Sequence, residues 1–286
     1  MALLKPLQQA ETFLNDIKAA RRETDKLHIW WLGQSGFLVH YANKTVLFDP
    51  YLSDSLTRKY AQTDKPHTRI SELVIDPARL TGVDVITSSH NHTDHLDAET
   101  LLPLFACTPT AQFVIPEANR AFVADRLKTT PEWPIGLTDG ESKTVSAIVF
   151  HGVPAAHNTI ERDESGQCRF MGYVIEVGPF TIYHSGDTLL YNGIVETLRP
   201  FRVDVAFLPI NGNRPERRVA GNLNADEAAR LGYEIGAKLT IPHHYDLFAF
   251  NTADPADFVS ACRQYKTPNR VMQLGERISL NKTENH

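Results

Sequence analysis

His90-Asn91-His92-Thr93-Asp94-His95 puts three imidazoles and a carboxylate into six residues, directly after a short run, Asp84 to Ser88, that reads as a strand. In extended chain His90 and His92, two residues apart, point to the same side. Asp94 and His95 follow where the chain turns toward the next helix and can face a second ion. Imidazole and carboxylate together suit zinc, manganese or iron. The plain alternative is a polar surface loop that happens to be rich in histidine. Burying so many imidazoles without a metal would leave several donors and acceptors to satisfy, so the density of the cluster and its place at a strand end favour a metal centre.

Such a centre needs ligands from elsewhere, and three places offer them, all at ends of predicted strands. They are His157 in Val153-Pro154-Ala155-Ala156-His157-Asn158, Asp187 in Tyr183-His184-Ser185-Gly186-Asp187-Thr188, and the pair His243-His244 in Ile241-Pro242-His243-His244-Tyr245. A lone histidine at a strand end is more often a satisfied polar residue. Their joint occurrence after strands gives them weight.

Outward from these motifs the chain alternates strands and helices. Apolar residues at helical spacing, from Leu3 to Ile17, predict an N-terminal helix at about 3–22. Leu27–Leu32 reads as a strand, and Phe37–Tyr41 with Thr45–Phe48 as a hairpin. Residues 51–80 are polar and irregular and read as a long surface excursion, a length often tied to function. Strands are expected at 112–115, 143–150, 170–177, 180–183, 203–210, 239–242 and 271–274, and helices at 97–105, 117–127, 224–235 and 255–265. No composition break or Gly/Ser-rich linker divides the chain, so residues 1–286 are expected to form a single domain. The fold class is α/β: two sheets packed face to face with helices outside, an αββα sandwich.

Composition narrows the function. The chain has 286 residues, 42% of them hydrophobic, and a net charge of -5. That is enough apolar material for a sizeable core, and no basic excess points to nucleic acid or an anionic membrane. Cys107, Cys168 and Cys262 form no CxxC pair and read as reduced, mostly buried thiols. Charges interrupt the N-terminal apolar residues, unlike a signal peptide, and no stretch has transmembrane length. The expectation is a cytoplasmic protein acting on a small molecule, without nucleic-acid or membrane partners, with a homo-oligomer left open.

The order of HxHxDH, a later histidine, an aspartate in an SGDT turn and a final histidine resembles the metallo-β-lactamase superfamily over nearly the whole chain. Trp30-Trp31-Leu32-Gly33-Gln34-Ser35-Gly36, Tyr183-His184-Ser185-Gly186-Asp187 and Ile241-Pro242-His243-His244 sharpen the resemblance toward the branch of the L-ascorbate-6-phosphate lactonase. The resemblance implies the αββα sandwich and two divalent ions, Zn2+ or Mn2+. His90, His92 and His157 would hold one ion, Asp94, His95 and His244 the other, with Asp187 bridging. His243 would be a wall or orienting residue, though the two terminal histidines could exchange roles. Asp49, in Phe48-Asp49-Pro50, looks like the family's strand-end aspartate that orients a ligand imidazole; the bland reading is a turn carboxylate before proline.

A divalent ion lowers the pKa of bound water from about 15.7 toward roughly 7, so hydroxide is available at neutral pH. Asp94 could also accept a hydrogen bond from that nucleophile, which makes Asp94 and Asp187 the catalytic candidates. Asn158, His184, Asn211 and Arg214 flank strand ends and are the candidates to read the substrate. Arg214 would hold a phosphate or carboxylate; a solvated loop arginine is the alternative. The expected activity is a lactonase-like, metal-dependent opening of a lactone or ester in a small anionic, sugar-like molecule. The alternatives are a phosphodiesterase on the same ions and a non-catalytic metal-binding protein.

Overall fold

Two runs of strands, each ending in helices, fold into two sheets. The computed structural model describes residues 3–282, so the ends of the expected 1–286 domain lie outside the described residues. The first run comprises α1 (Ala10–Ala20), β1 (Lys26–Gly33), β2 (Gly36–Tyr41), β3 (Lys44–Phe48), α2 (Ser55–Tyr60), β4 (Val85–Thr87), α3 (Ala98–Cys107), β5 (Gln112–Pro116), α4 (Arg120–Leu127) and β6 (Ile135–Leu137). The second comprises β7 (Ser142–Val145), β8 (Ile148–Pro154), β9 (Met171–Val177), β10 (Phe180–His184), α5 (Ile194–Leu198), β11 (Val205–Pro209), α6 (Ala225–Glu234), β12 (Leu239–His243), α7 (Pro255–Tyr265) and β13 (Arg277–Asn281).

The sheets are mixed. One has the order β13-β1-β2-β3-β4-β5-β6 and the other β12-β11-β10-β9-β8-β7. β3 through β6 run parallel, as do β10 through β12, and the remaining pairs are antiparallel. Their inner faces meet at Phe37 of β2 on Phe207 of β11, ring centroids 3.9 Å apart, and at Phe48 of β3 on His184 of β10, 4.9 Å apart. β11 (VAFLP) is buried at every position, as an apolar parallel strand covered on both faces should be. α6 covers β11 and β12 from outside, burying Ala228, Ala229 and Leu231. The result is the expected αββα sandwich. It brings the C-terminal ends of β3, β4, β10, β11 and β12 toward one edge.

Four expectations need correction. The N-terminal helix begins at Ala10 rather than near residue 3; Pro6 disfavours helix just before it, and Leu4 instead donates its backbone N–H to Ile70 O at 2.8 Å. Residues 143–150 are split between two strands, because Ser146 and Ala147, with φ of 51° and 64°, make a two-residue hairpin turn between β7 and β8. Val271–Leu274 is irregular, and the last strand is β13, hydrogen-bonded to the edge of β1. Residues 51–80 are less superficial than their composition suggests: they contain α2 and bury Tyr51, Leu52, Leu56, Val74, Ile75 and Leu80. β6 and α5 are additional short elements.

Candidate metal centre

Each loop at the shared edge delivers a polar side chain to one place. After β4, Ser88 and Ser89 lead to His90, His92, Asp94 and His95; after β8 comes His157; after β10, Asp187; after β12, His244. Ligand atoms of His90, His92 and His157 lie within 4.8 Å of one another, as do those of Asp94, His95 and His244, and those of His90, His95 and Asp187. Asp187 lies between the groups: its Oδ1 is 2.8 Å from His244 Nε2 and 3.3 Å from His95 Nε2, and its Oδ2 is 3.7 Å from His157 Nε2. All seven residues expected to hold metal are therefore brought together.

The backbone is bent to achieve this. Gln34, Asp49 and His244 all have positive φ, at 49°, 37° and 64°. Strain of this kind persists where the surroundings over-determine it, commonly at functional sites. Gly186, φ 58°, lets the chain pass close to the β4 loop; a Cβ there would meet Ser89 Cβ at 2.6 Å.

The tautomers follow from the partners behind the rings. Asp49 Oδ2 is 2.7 Å from His95 Nδ1, and a carboxylate only accepts, so Nδ1 carries the proton and Nε2 offers its lone pair forward. Gly221 O, 2.8 Å from His157 Nδ1, fixes that ring in the same way. The Ser89 hydroxyl donates to Asp49, so its oxygen is free to accept from His90 Nδ1 at 3.0 Å. Asp49 also accepts from Thr87 Oγ1 at 2.8 Å and from Ser89 N. These contacts give it the orienting position expected of it, and the His95 and His184 imidazoles and Ser89 overcome burial to hold its carboxyl below the usual range.

Electrostatics point the same way. Burial, and then neighbouring imidazoles, lower the pKa of His90 strongly and that of His92 to about 4. Burial lowers His157 as well. Burial opposes ionisation of Asp187, but His244 and His95 outweigh it and hold the carboxyl well below the usual carboxylate range. His95 differs: burial opposes its charge, but the Asp187 and Asp94 carboxylates, with Asp49 behind the ring, outweigh burial and hold its pKa well above the usual histidine value. Its proton supplies the positive charge that the carboxylates require, a place that a bound cation would take. His90 Nε2, His95 Nε2, His244 Nε2 and Asp187 Oδ1 are buried and make no hydrogen bond within the described residues, although His244 Nε2 and Asp187 Oδ1 are only 2.8 Å apart. Leaving such atoms unpaired is costly. A divalent cation among them satisfies all four, so the residues present fit the group.

Above lies a cavity of about 510 Å³. Its floor includes His92, Asp94, His157, Asp187 and His244; its rim includes Leu56, Lys59, Tyr60 and His67 from residues 51–80, Phe122 and Arg126 from α4, and Arg218. The four residues expected to read the substrate do not line it. His184 is buried, donating from Nε2 to Ser35 O at 2.8 Å and accepting from Gly186 N. Asn211 is buried and bonded to Asn251 and Asn222. Asn158 accepts from Gly221 N at 3.0 Å, so it braces a loop. Arg214 is exposed. His243 stacks on His184, centroids 5.5 Å apart, with Ser35 Oγ 3.2 Å from its Nδ1. Cys168 and Cys262, both pushed up to about 12 by burial, are poor nucleophiles.

Gln34 is a residue that sequence reasoning passed over. Between β1 and β2, it places its side-chain amide nitrogen 2.8 Å from Asp94 Oδ2 and 3.0 Å from His244 Nδ1, joining two members of one group. The only available signal was its place between Gly33 and Gly36, which makes it a strand-end residue too.

The model of the β-lactamase superfamily domain matches residues 44–245, a span that contains all seven residues of the cluster. The chain belongs to that superfamily. A metal-dependent hydrolase of Opitutus terrae is 28% identical over 259 residues, 89% of this chain and 100% of that protein. Two solved structures share the fold: a metallo hydrolase of Ignicoccus hospitalis (TM-score 0.66, 21% identity, 90% of this chain and 100% of that one) and an isothiocyanate hydrolase from Delia radicum gut bacteria (TM-score 0.67, 15% identity, 89% and 99%). Among the described residues no helix is long and apolar enough to cross a membrane.

Proposed function

We propose that this chain hydrolyses a lactone or ester of a small anionic molecule, using two divalent ions, zinc or manganese, held by His90, His92 and His157 and by Asp94, His95 and His244, with Asp187 shared. The observation that carries this reading is the set of four buried, unpaired ligand atoms under a cavity whose rim bears lysine and arginine. Ions bound there supply an acidified water and polarise the oxygen of the electrophile. The protein's own part is positional. Asp49, Gly221 O and Ser89 hold three imidazoles in the tautomer that keeps Nε2 free. Gln34 holds Asp94 Oδ2, fixing the carboxylate that would bind an ion and could accept a hydrogen bond from the nucleophile. The rim cations favour anions.

The test begins with protein purified without chelator and assayed for metal content by mass spectrometry. About two ions per chain are expected after reconstitution with zinc or manganese. The loaded protein is then screened on lactones, carboxylic esters, phosphodiesters, β-lactams and, given one structural neighbour, an isothiocyanate. Turnover of a phosphodiester in preference to every lactone and ester would replace this reading, and absence of stoichiometric metal would remove its basis.

A further inference from the structure

One cation at the cavity is held in a way that leaves a defined edge unused. Arg126 donates from Nη1 to Asn91 O at 2.8 Å and to Leu96 O at 2.9 Å, two carbonyls on the loop that carries His92, Asp94 and His95. Its guanidinium carbon lies 4.5 Å from the centroid of the Phe122 ring. Within the described residues Nε and Nη2 make no hydrogen bond, and no carboxylate closes an ion pair with Arg126. The nearby carboxylates are engaged elsewhere: Asp97 accepts from Thr100 at the start of α3, and Asp125 pairs with Lys128 at 3.2 Å.

The other cations of the rim differ. Arg218 is exposed and paired with Asp64, and Lys65 gives its ammonium to Arg218 O. Lys59 is exposed on α2, with its ammonium 5.1 Å from the Tyr60 ring centroid. An exposed ammonium on a flexible stem must lose hydration and rotamer freedom to grip a ligand. Arg126 is half-buried and already fixed by two carbonyls and a ring, so that cost is met in folding.

We propose that Arg126 is the anion anchor of the substrate pocket, its Nε–Nη2 edge taking a carboxylate or phosphate of the substrate through paired hydrogen bonds. This deepens, and rests on, the reading of the site as a hydrolase for small anionic esters or lactones. The side-on edge of a guanidinium matches the two oxygens of an oxyanion, and charge-assisted bonds of this kind are roughly twice as strong as neutral ones. With Nη1 bound to the ligand loop, the anchored anion sits at a fixed offset from the metal centre, so the spacing between anion and scissile carbonyl becomes a selection rule. Phe122, 43% exposed at the same wall, gives the linking carbons an apolar surface.

The rival role is a brace for the ligand loop, and the test separates the two. Zinc-loaded full-length protein is titrated calorimetrically with dicarboxylates from malonate to adipate and with monocarboxylates of equal length. In parallel it is assayed on 4-nitrophenyl acetate and on 4-nitrophenyl hemiesters of the same diacids. In the wild type at least one dicarboxylate is expected to bind about tenfold or more tighter than its monocarboxylate. Arg126→Met should erase that preference and lower kcat/KM on the matching hemiester by about tenfold more than on the acetate ester. Arg126→Lys should recover only part. The anchor is overturned if the wild type shows no preference, if the preference survives in Arg126→Met, or if zinc content and both ester classes fall together. If no ester is hydrolysed but the preference still depends on Arg126, the anchor stands and the ester reading falls.

Discussion

The floor of the cavity and its rim are held by different means. On the floor, His95, His157 and His90 leave strand ends and are gripped from behind by Asp49, Gly221 O and Ser89, so that the opposite nitrogen faces a shared centre. On the rim, Arg126 is fixed by Asn91 O and Leu96 O, but Arg218 is held by an ion pair whose partners are 61% and 67% exposed, and Lys59 has only an aromatic neighbour. Exposed pairs of that kind contribute about 0–1 kcal/mol. Buried hydrogen-bonded groups lose far more when one partner is removed. The difference separates two tasks. On the proposed reading, the floor would decide whether chemistry happens and the rim which molecule is present when it does.

The strongest attempt to break this division is at Asp187. Because its two oxygens approach members of both ligand groups, Asp187→Ala is expected to abolish turnover, by at least about a thousandfold, and to lower metal occupancy in both groups. Its folded structure, checked by circular dichroism, should survive. Full metal content and turnover in that variant would show that Asp187 is no ligand and that the floor is not one unit. Next in size is Asp49→Asn, which keeps the shape but weakens the acceptor behind His95. Loss of such an orienting partner costs about 10–100-fold in metal affinity. Competition with a chelating dye measures it, and an unchanged affinity would reduce Asp49 to a turn residue.

Floor and rim were also unequally legible. The run from His90 to His95 is spelled within six consecutive residues after a strand, so local chemistry alone marks it. His157, Asp187 and His244 are single residues in separate loops; their joint occurrence at strand ends made them candidates, and the resemblance assigned each its place in the cluster. Gln34 was given no role of its own because that role depends on Asp94 and His244, both far away in sequence. Arg126 looks like any helix arginine; its contact with the ligand loop is made by how α4 packs. Arg214 seemed well placed after β11, but loop direction is set by tertiary bonds, and here the chain is stapled by Arg217 instead. The fold was easier, since β11 and the hairpin of β2 and β3 carry strong patterns. β13 was missed because an edge strand with no fully buried position carries a weak one, while the apolar run Val271–Leu274 imitated a strand.

A further test asks whether burial alone explains a neutral imidazole here. His40 of β2 is buried away from the cluster, bonded to Thr45 Oγ1 at 2.9 Å, and its pKa is lowered to about 4 by burial and then by Arg21. The unfolded chain takes up a proton near the ordinary histidine value that the folded protein refuses. Stability is therefore full above about pH 6.5 and is lost as pH falls toward about 4, amounting to about 2 kcal/mol at pH 5. In chelator-treated protein, the change in unfolding free energy between pH 7 and pH 5, from urea titration, should be smaller in His40→Leu than in the wild type by that amount. Equal slopes would mean that His40 is not held neutral by the fold. Added zinc should leave the difference between the two proteins unchanged, because His40 has no part in the metal centre.

The smallest expected effects sharpen the boundary between the two regions, because they lie in one loop. Arg217 donates to Asn211 O at 2.6 Å, Asn251 Oδ1 at 3.0 Å and Thr252 O at 2.9 Å. It thereby ties down the segment that reaches Gly221, whose carbonyl accepts from His157. Arg214, three residues earlier, is exposed and lines no part of the cavity. Arg217→Ala should destabilise the protein by about 1–3 kcal/mol and weaken metal binding by a few-fold through Gly221. Arg214→Ala should alter stability by no more than about 0.5 kcal/mol and leave kcat/KM on an anionic ester within about twofold. Urea titration, chelator competition and steady-state kinetics on the two variants read these quantities side by side. If Arg214→Ala raised KM tenfold while Arg217→Ala did nothing to metal affinity, the loop would belong to substrate selection rather than to support of the floor. The assignment of the anion to the α4 wall would then have to move across the cavity.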